Sequence, residues 1–236
     1  MKFRLPTILS AAAIAASALL PQSSFADEGP VVVELYTSQG CSSCPPADKL
    51  LGELAKRDNV LPLAFHVDYW DYIGWKDIFG DPKHAKRQRA YAREGNRRVI
   101  YTPQMIIAGG QNIEGAHAMK TVDAIRAAEG EGVDVGLRLS RKGDRLTIRA
   151  DRTNLPDSVS VHLVRYIPEE TVKVLRGENR GRTLTYHNVV SSFETLKSWD
   201  GRKALNLTTT VKGDDQIAVI LQHRGPGQII SAARLN

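Results

Sequence analysis

Hydrophobic and polar positions follow one rhythm up to about residue 130 and another beyond it. "VVVELYT" (31–37) is an apolar run rich in β-branched residues, which predicts a buried strand. "SQG" turns the chain, and in "PPADKLLGELAKRD" the residues Ala47, Leu50, Leu51, Leu54 and Ala55 fall on one face of a helix. Pro45 and Pro46 suit its first turn, where a backbone N–H has no intrahelical partner to lose. "VLPLAFHVDYW" predicts a second apolar strand. Residues 71–98 are polar and predict helix, and "VIYTPQMIIAGG" restores strand character. "IEGAHAMKTVDAIRAA" then predicts a helix whose apolar stripe includes Met119, Val122 and Ile125.

Past "EGEG" the period becomes two. Val133, Val135, Leu137 and Leu139 alternate with polar residues, "RKGD" turns, and Leu146, Ile148 and Ala150 alternate again. "SVSVHLVRY", "TVKVL", "TLTYHNVV", "ALNLTTTV" and "QIAVILQ" continue the pattern between clusters of Gly, Asp, Asn and Pro. The expected fold is therefore an α/β unit followed by an antiparallel, sandwich-like β domain. The boundary falls near Gly130–Gly132, giving domains over 27–130 and 131–236.

The N-terminus changes the expected setting. "MKFR" carries two cations, "LPTILSAAAIAASALL" is apolar and Ala-rich, and "SFA" has small residues where signal peptidase cuts. Residues 1–26 thus read as a signal peptide, too short for a stable membrane span, and the mature chain is expected in the periplasm or outside the cell. Cleavage would remove two of 32 cationic residues and none of the 26 acidic ones, leaving a mild net charge of +4. That balance does not point to nucleic acid. Two cysteines in 236 residues exclude a disulfide-built scaffold, so the pair is free for chemistry.

Cys41 and Cys44 form a CxxC at the junction of the first strand and helix. As a staple the pair would close a very short loop and stabilise little, roughly 2 kcal/mol. As a redox pair it is well placed, because the positive end of a helix and its free N–H groups favour thiolate. Cys41 would then attack and Cys44 resolve, with the small Ser42 and Ser43 leaving Cys41 accessible. A third reading is a Cu(I) or Zn(II) site with His66 as an added ligand, although no second CxxC or ligand-spaced His pair supports it. No organic cofactor is expected. Partners would be protein or small-molecule thiols and disulfides, and the oligomeric state is open.

Other residues converge on the pair. Thr102-Pro103 opens an apolar strand, and an X-Pro bond is the one type that adopts cis at modest cost. "HVDYWDYIGWKDIF" gathers five of the fifteen aromatics in eleven residues, so Asp68 and Trp70 are candidates for a site wall. Glu34, among apolar neighbours, is a candidate proton acceptor or an edge residue facing water. The stretch from Lys83 to Arg98 has seven cations against Glu94 alone. It reads as a solvated helix face or a contact for an anionic surface or acidic partner.

"ELYTSQGCSSCPPAD", "FHVDYWDYIGWKD", "TPQMIIAG" and the later "TLTYHNVV" together resemble the bacterial secreted proteins called domain-of-unknown-function 1223. The resemblance spans nearly the whole mature chain. It implies a thioredoxin-like N-terminal domain and a β-rich C-terminal domain, and it implies no substrate. The wider thioredoxin resemblance carries over only at Cys41, Cys44 and Thr102-Pro103, where the proline turn would face the cysteines. Gly40 stands where thioredoxins carry tryptophan, Glu34 lies seven rather than six residues before the first cysteine, and the central pair is Ser-Ser.

Overall fold

A computed structural model of the chain describes residues 29–235, and the expected signal peptide lies outside them. The first elements form where the apolar runs place them. β1 (Val31–Thr37) and β2 (Val60–His66) are parallel neighbours linked by α1 (Pro45–Leu54). A 3-10 turn at Asp71–Ile73 precedes α2 (Pro82–Glu94). Asp81 caps α2 by accepting the Lys83 N–H at 2.8 Å, and Gly95 ends it. A cap of this kind stabilises a helix by about 1 kcal/mol. β3 (Gln104–Ile107) lies antiparallel to β1 and pairs with β4 (Gln111–Glu114). α3 (Ala118–Ala128) buries Thr121, Ala124 and Ile125 but leaves Met119 exposed, unlike the expected stripe.

The second half departs from expectation. β5 (Arg138–Lys142), β6 (Arg145–Ala150) and β9 (Leu205–Thr210) form a small three-stranded sheet. β7 (Val159–Lys173), β8 (Thr183–Trp199), β10 (Gln216–His223) and β11 (Ile229–Arg234) instead extend the first sheet. Its order is β11-β10-β7-β8-β2-β1-β3-β4. The junction is a parallel bridge between Ala64 of β2 and Val189 of β8, and the Asn188 side-chain amide donates to the Pro62 carbonyl at 2.8 Å. The chain is mostly β, and the expected thioredoxin-like α/β domain followed by a separate sandwich-like β domain is overturned. An open β2 edge would expose unpaired backbone groups; β8 covers it, so strands of both halves share one sheet.

Three cores follow from this layering. α2 covers the face of the sheet carrying Val32, Leu63, Phe65, Val164 and Ile220. α1 and α3 cover the opposite face of β1–β3 through Leu51, Leu54 and Ile125. The small sheet covers Val161, Val219 and Leu221 with Leu146 and Ile148.

The β7–β8 hairpin is longer than its pattern suggested. "SVSVHLVRY" and "TVKVL", expected as two strands, are almost wholly one 15-residue strand that runs through Pro168. β7 pairs with β10 only from Val159 to Tyr166, and Glu169–Lys173 pair only with β8. This outer half is a two-stranded arm lying against α1. Gly52 of α1 permits the approach, since a Cβ there would sit 2.4 Å from the His187 ring.

Candidate functional site

Cys41 and Cys44 are joined in a disulfide between the end of β1 and α1. Cys44 occupies the N-cap position of α1, and Pro45 and Pro46 fill its first turn. The two prolines have no N–H, and the next two N–H groups, of Ala47 and Asp48, both go to the Cys44 carbonyl at 2.8 and 3.1 Å. The helix thus offers a Cys41 thiolate its dipole but fewer free N–H groups than the position suggested. Ser43 Oγ lies 3.4 Å from Cys41 Sγ, within hydrogen-bonding reach. Both cysteines are buried, Cys41 at 1% exposure and Cys44 at 0%.

The cover over Cys41 comes from the far half of the chain. Asn179, at the tip of the β7–β8 arm, donates its side-chain amide to the carbonyls of Gln39 and Cys41, both at 2.9 Å. Arg182 donates to the Asn179 side-chain oxygen at 2.8 Å and so orients the amide. Glu178 accepts the Ser42 N–H at 3.2 Å. Nothing in "GENRGR" marks these residues, which read as an ordinary turn.

The first turn of α1 holds a buried acid. Asp48 is one helical turn past Cys44, so the two side chains share a face of α1. Its carboxylate accepts the Thr37 hydroxyl at 2.8 Å. Burial pushes its pKa up to about 7, against the lowering effects of His66 and the Thr37 bond. The sequence reading missed it because an acid in the first turn of a helix is ordinary. Its one signal was four-residue spacing from Cys44 within an apolar face.

The other expected residues fall into two groups. Trp70 packs against Gly40, where an added Cβ would lie 3.1 Å from the Trp70 Cβ, and its indole N–H donates to Thr102 Oγ1 at 2.8 Å. The Thr102-Pro103 bond is cis. Trp70 therefore ties the CxxC loop to the Thr102–Pro103 turn, and Gly40 leaves the room that this requires. His66 is buried beside Asp77, with Nδ1 2.8 Å from the Asp77 carboxylate, while its Nε2 has no hydrogen-bond partner. Burial raises the Asp77 pKa, but the charge and hydrogen bond of His66 and the N–H groups of Gln39 and Phe79 bring it below the usual range. Gln39 in turn accepts the Trp75 indole N–H at 2.8 Å. Asp68 is half-buried and serves the following turn through its carbonyl, which accepts the Asp71 N–H at 3.0 Å.

Glu34 is placed elsewhere. It faces α2, where Arg87 donates to both carboxylate oxygens at 2.6 and 2.8 Å, and Tyr36 and Tyr91 donate at 2.9 and 2.7 Å. Burial would raise its pKa, but the Arg87 charge and these bonds hold it below normal. It is buried rather than water-facing, and its carboxylate is bonded to Arg87, Tyr36 and Tyr91, not to Cys44. Among the described residues no three His, Cys, Asp or Glu side chains converge as a metal centre would require, and His66 has Asp77 as its partner.

The family described as protein of unknown function, DUF1223, matches residues 32–222. The chain belongs to the DUF1223 family. Among solved structures, protein AGR_C_4864 of Agrobacterium tumefaciens is 32% identical to this DUF1223 protein, with a TM-score of 0.74 over 88% of this chain and 93% of that one. HBP35 of Porphyromonas gingivalis is 14% identical, with a TM-score of 0.64 over 88% of this chain and 74% of the other, a likeness of fold alone. No curated protein matches this DUF1223 chain. Among its described residues no helix is long and apolar enough to cross a membrane.

Proposed function

We propose that this protein is an exported thiol–disulfide oxidoreductase that works by exchange at Cys41–Cys44. The observation that carries this reading is the pairing of the CxxC disulfide with a buried carboxyl, Asp48, poised near pH 7 one turn below Cys44. A structural staple has no need of a buried acid whose one side-chain partner is a neutral hydroxyl, and burying such an acid costs stability. An exchange site does need it, because the buried cysteine must gain and lose a proton.

The steps balance within the pair. A substrate thiolate attacks Cys41 Sγ, the Cys41–Cys44 bond breaks, and the substrate sulfur joins Cys41 in a mixed disulfide. Cys44 leaves with the electron pair and takes a proton from Asp48. A second substrate thiolate releases the first as a disulfide, so two electrons enter the protein dithiol. In reverse, Asp48 takes the Cys44 proton, and Cys44 expels the substrate thiol from Cys41. Partners are protein or small-molecule thiols and disulfides. Because the Glu178–Asn179 tip covers Cys41, it must lift before a protein substrate can reach the sulfur. Export rests on the basic, apolar and small-residue plan of residues 1–26; N-terminal sequencing of mature protein should begin near Asp27.

The burial of both sulfurs favours a second reading, a partner-binding module whose disulfide only fixes the loop. Replacing Cys44 with serine separates the two. Exchange requires that Cys44→Ser accumulate covalent partners released by reductant and absent from the Cys41→Ser variant. No trapped species, together with a pair potential below about −300 mV, would sink exchange and leave the module.

A further inference from the structure

The basic run of α2 has no part in the exchange site. It forms one wall of a cavity of about 440 Å³, closed by β7, β8 and the turn between β10 and β11. Lys83, Lys86, Arg93 and Arg224 stand at its rim as exposed cations. Two acids, Asp81 and Glu94, lie near these four cations. Asp81 is held by the Lys83 N–H at 2.8 Å, Asp215 by Ser191 and Arg165, and Glu94 packs beside Gly225. The rim is therefore a net positive mouth.

The floor is built from side chains with polar atoms left over. Arg87 is 11% exposed and lies 4.1 Å above the Phe193 ring. Its Nε and Nη2 are spent on Glu34, Tyr91 and Gln222, whereas no hydrogen bond engages its Nη1 among the described residues. Glu34 neutralises the Arg87 charge, so Arg87 offers two N–H donors in fixed orientation while the rim supplies the field. His162 is also buried in this wall; its Nδ1 is fixed 3.0 Å from Thr195 Oγ1, which leaves its Nε2 without a hydrogen bond among the described residues. Burial first, and the Arg87 charge next, bring His162 down to about 4, so it stays neutral. Phe193, half-buried with Arg87 over its ring and Phe65 and His162 beside it, leaves part of its apolar surface to the cavity, and Ser160 and Ser192 add hydroxyls to the walls.

We propose that this cavity binds a small organic oxyanion, a carboxylate or phosphate monoester on a planar or apolar body, with the anion on Arg87 Nη1 and the rim cations and the body against Phe193. The volume suits a small molecule rather than a polymer. The site does not depend on exchange at Cys41–Cys44, and either reading can fail without the other.

The test is a titration of the mature protein with phenyl phosphate, benzoate and inorganic phosphate, followed by calorimetry and by amide NMR shifts. Phenyl phosphate should bind severalfold more tightly than inorganic phosphate, with shifts centred on α2, Phe193 and Arg224. The exposed-surface variants Lys86→Glu and Arg93→Glu, each checked for folding by circular dichroism, should weaken it at least tenfold. The proposal is overturned if neither organic anion binds at millimolar concentration, if the shifts centre on the CxxC loop, or if the charge reversals leave affinity unchanged. It is equally overturned if anionic lipid vesicles bind the protein through Lys86 and Arg93 while the soluble anions do not.

Discussion

Two buried carboxylates lie on opposite faces of the same sheet and behave differently. Glu34, facing α2, receives two bonds from Arg87 and one each from Tyr36 and Tyr91. Asp48, four residues past Cys44 on α1, receives only the Thr37 hydroxyl among the described residues. The first acid is held below its usual pKa by its partners after burial is offset, and the second is left near 7 by burial. A fully bonded buried charge fixes one arrangement of elements; an underbonded one retains a proton to exchange. Glu34 therefore belongs to the architecture, tying α2 to β1 and, through Arg87 and Gln222, to β10. Asp48, under the proposed exchange, is the proton store for Cys44.

The sharpest way to break this contrast is on the Glu34 side. Arg87→Leu should leave a buried acid without its cation and cost about 3–5 kcal/mol in chemical denaturation. A loss below about 1 kcal/mol would mean that the tyrosines suffice and the pair is not architectural. On the other side, Asp48→Asn should change the pH dependence in the opposite sense to a paired acid. Because the folded state raises Asp48 from 3.8 to about 7, its contribution to stability is full below pH 4 and is lost as pH rises through 7. That span is worth about 4 kcal/mol, so Asp48→Asn should be more stable than the native chain at pH 8 and flatter between pH 4 and 7. Its exchange rate should lose the inflection near pH 7; an unchanged inflection would remove Asp48 from the proton path.

Smaller effects test the cover. Asn179→Ala removes two bonds to loop carbonyls, should cost about 2 kcal/mol, and should speed reduction of the Cys41–Cys44 bond by dithiothreitol severalfold. Gly52→Ala forces a Cβ onto His187 and should cost about 1–3 kcal/mol while lifting the arm, with the same direction of change in reduction rate. Glu178→Gln removes a negative charge beside Ser42 and should raise Cys41 thiol reactivity by about two- to threefold at low salt, fading as salt is added. Stopped-flow thiol labelling of the reduced protein reads that difference.

The sequence made some of this legible and hid the rest for physical reasons. "VVVELYT", the α1 stripe and "VLPLAFH" carry local periodicity, and β1, α1 and β2 formed there. Trp70, from the aromatic cluster, lies against Gly40 of the CxxC loop and donates its indole N–H to Thr102. The single sheet did not show, because the β2–β8 bridge joins Ala64 to Val189 and has no local signature. Pro168 resembled a strand break, since proline removes one ladder donor, yet it sits where the outer arm has lost its β10 neighbour. Asn179 resembled a turn residue, and Glu34 resembled a proton acceptor until α2 brought Arg87 to it.

The placement of Asn179 has a consequence in time. Synthesis runs from the N-terminus, so the CxxC segment emerges well before the arm that covers it, 138 residues ahead of its Asn179 partner. During that interval Cys41 lies open to any oxidant or partner it meets. The arm can close the site only once residues 178 and 179 have followed.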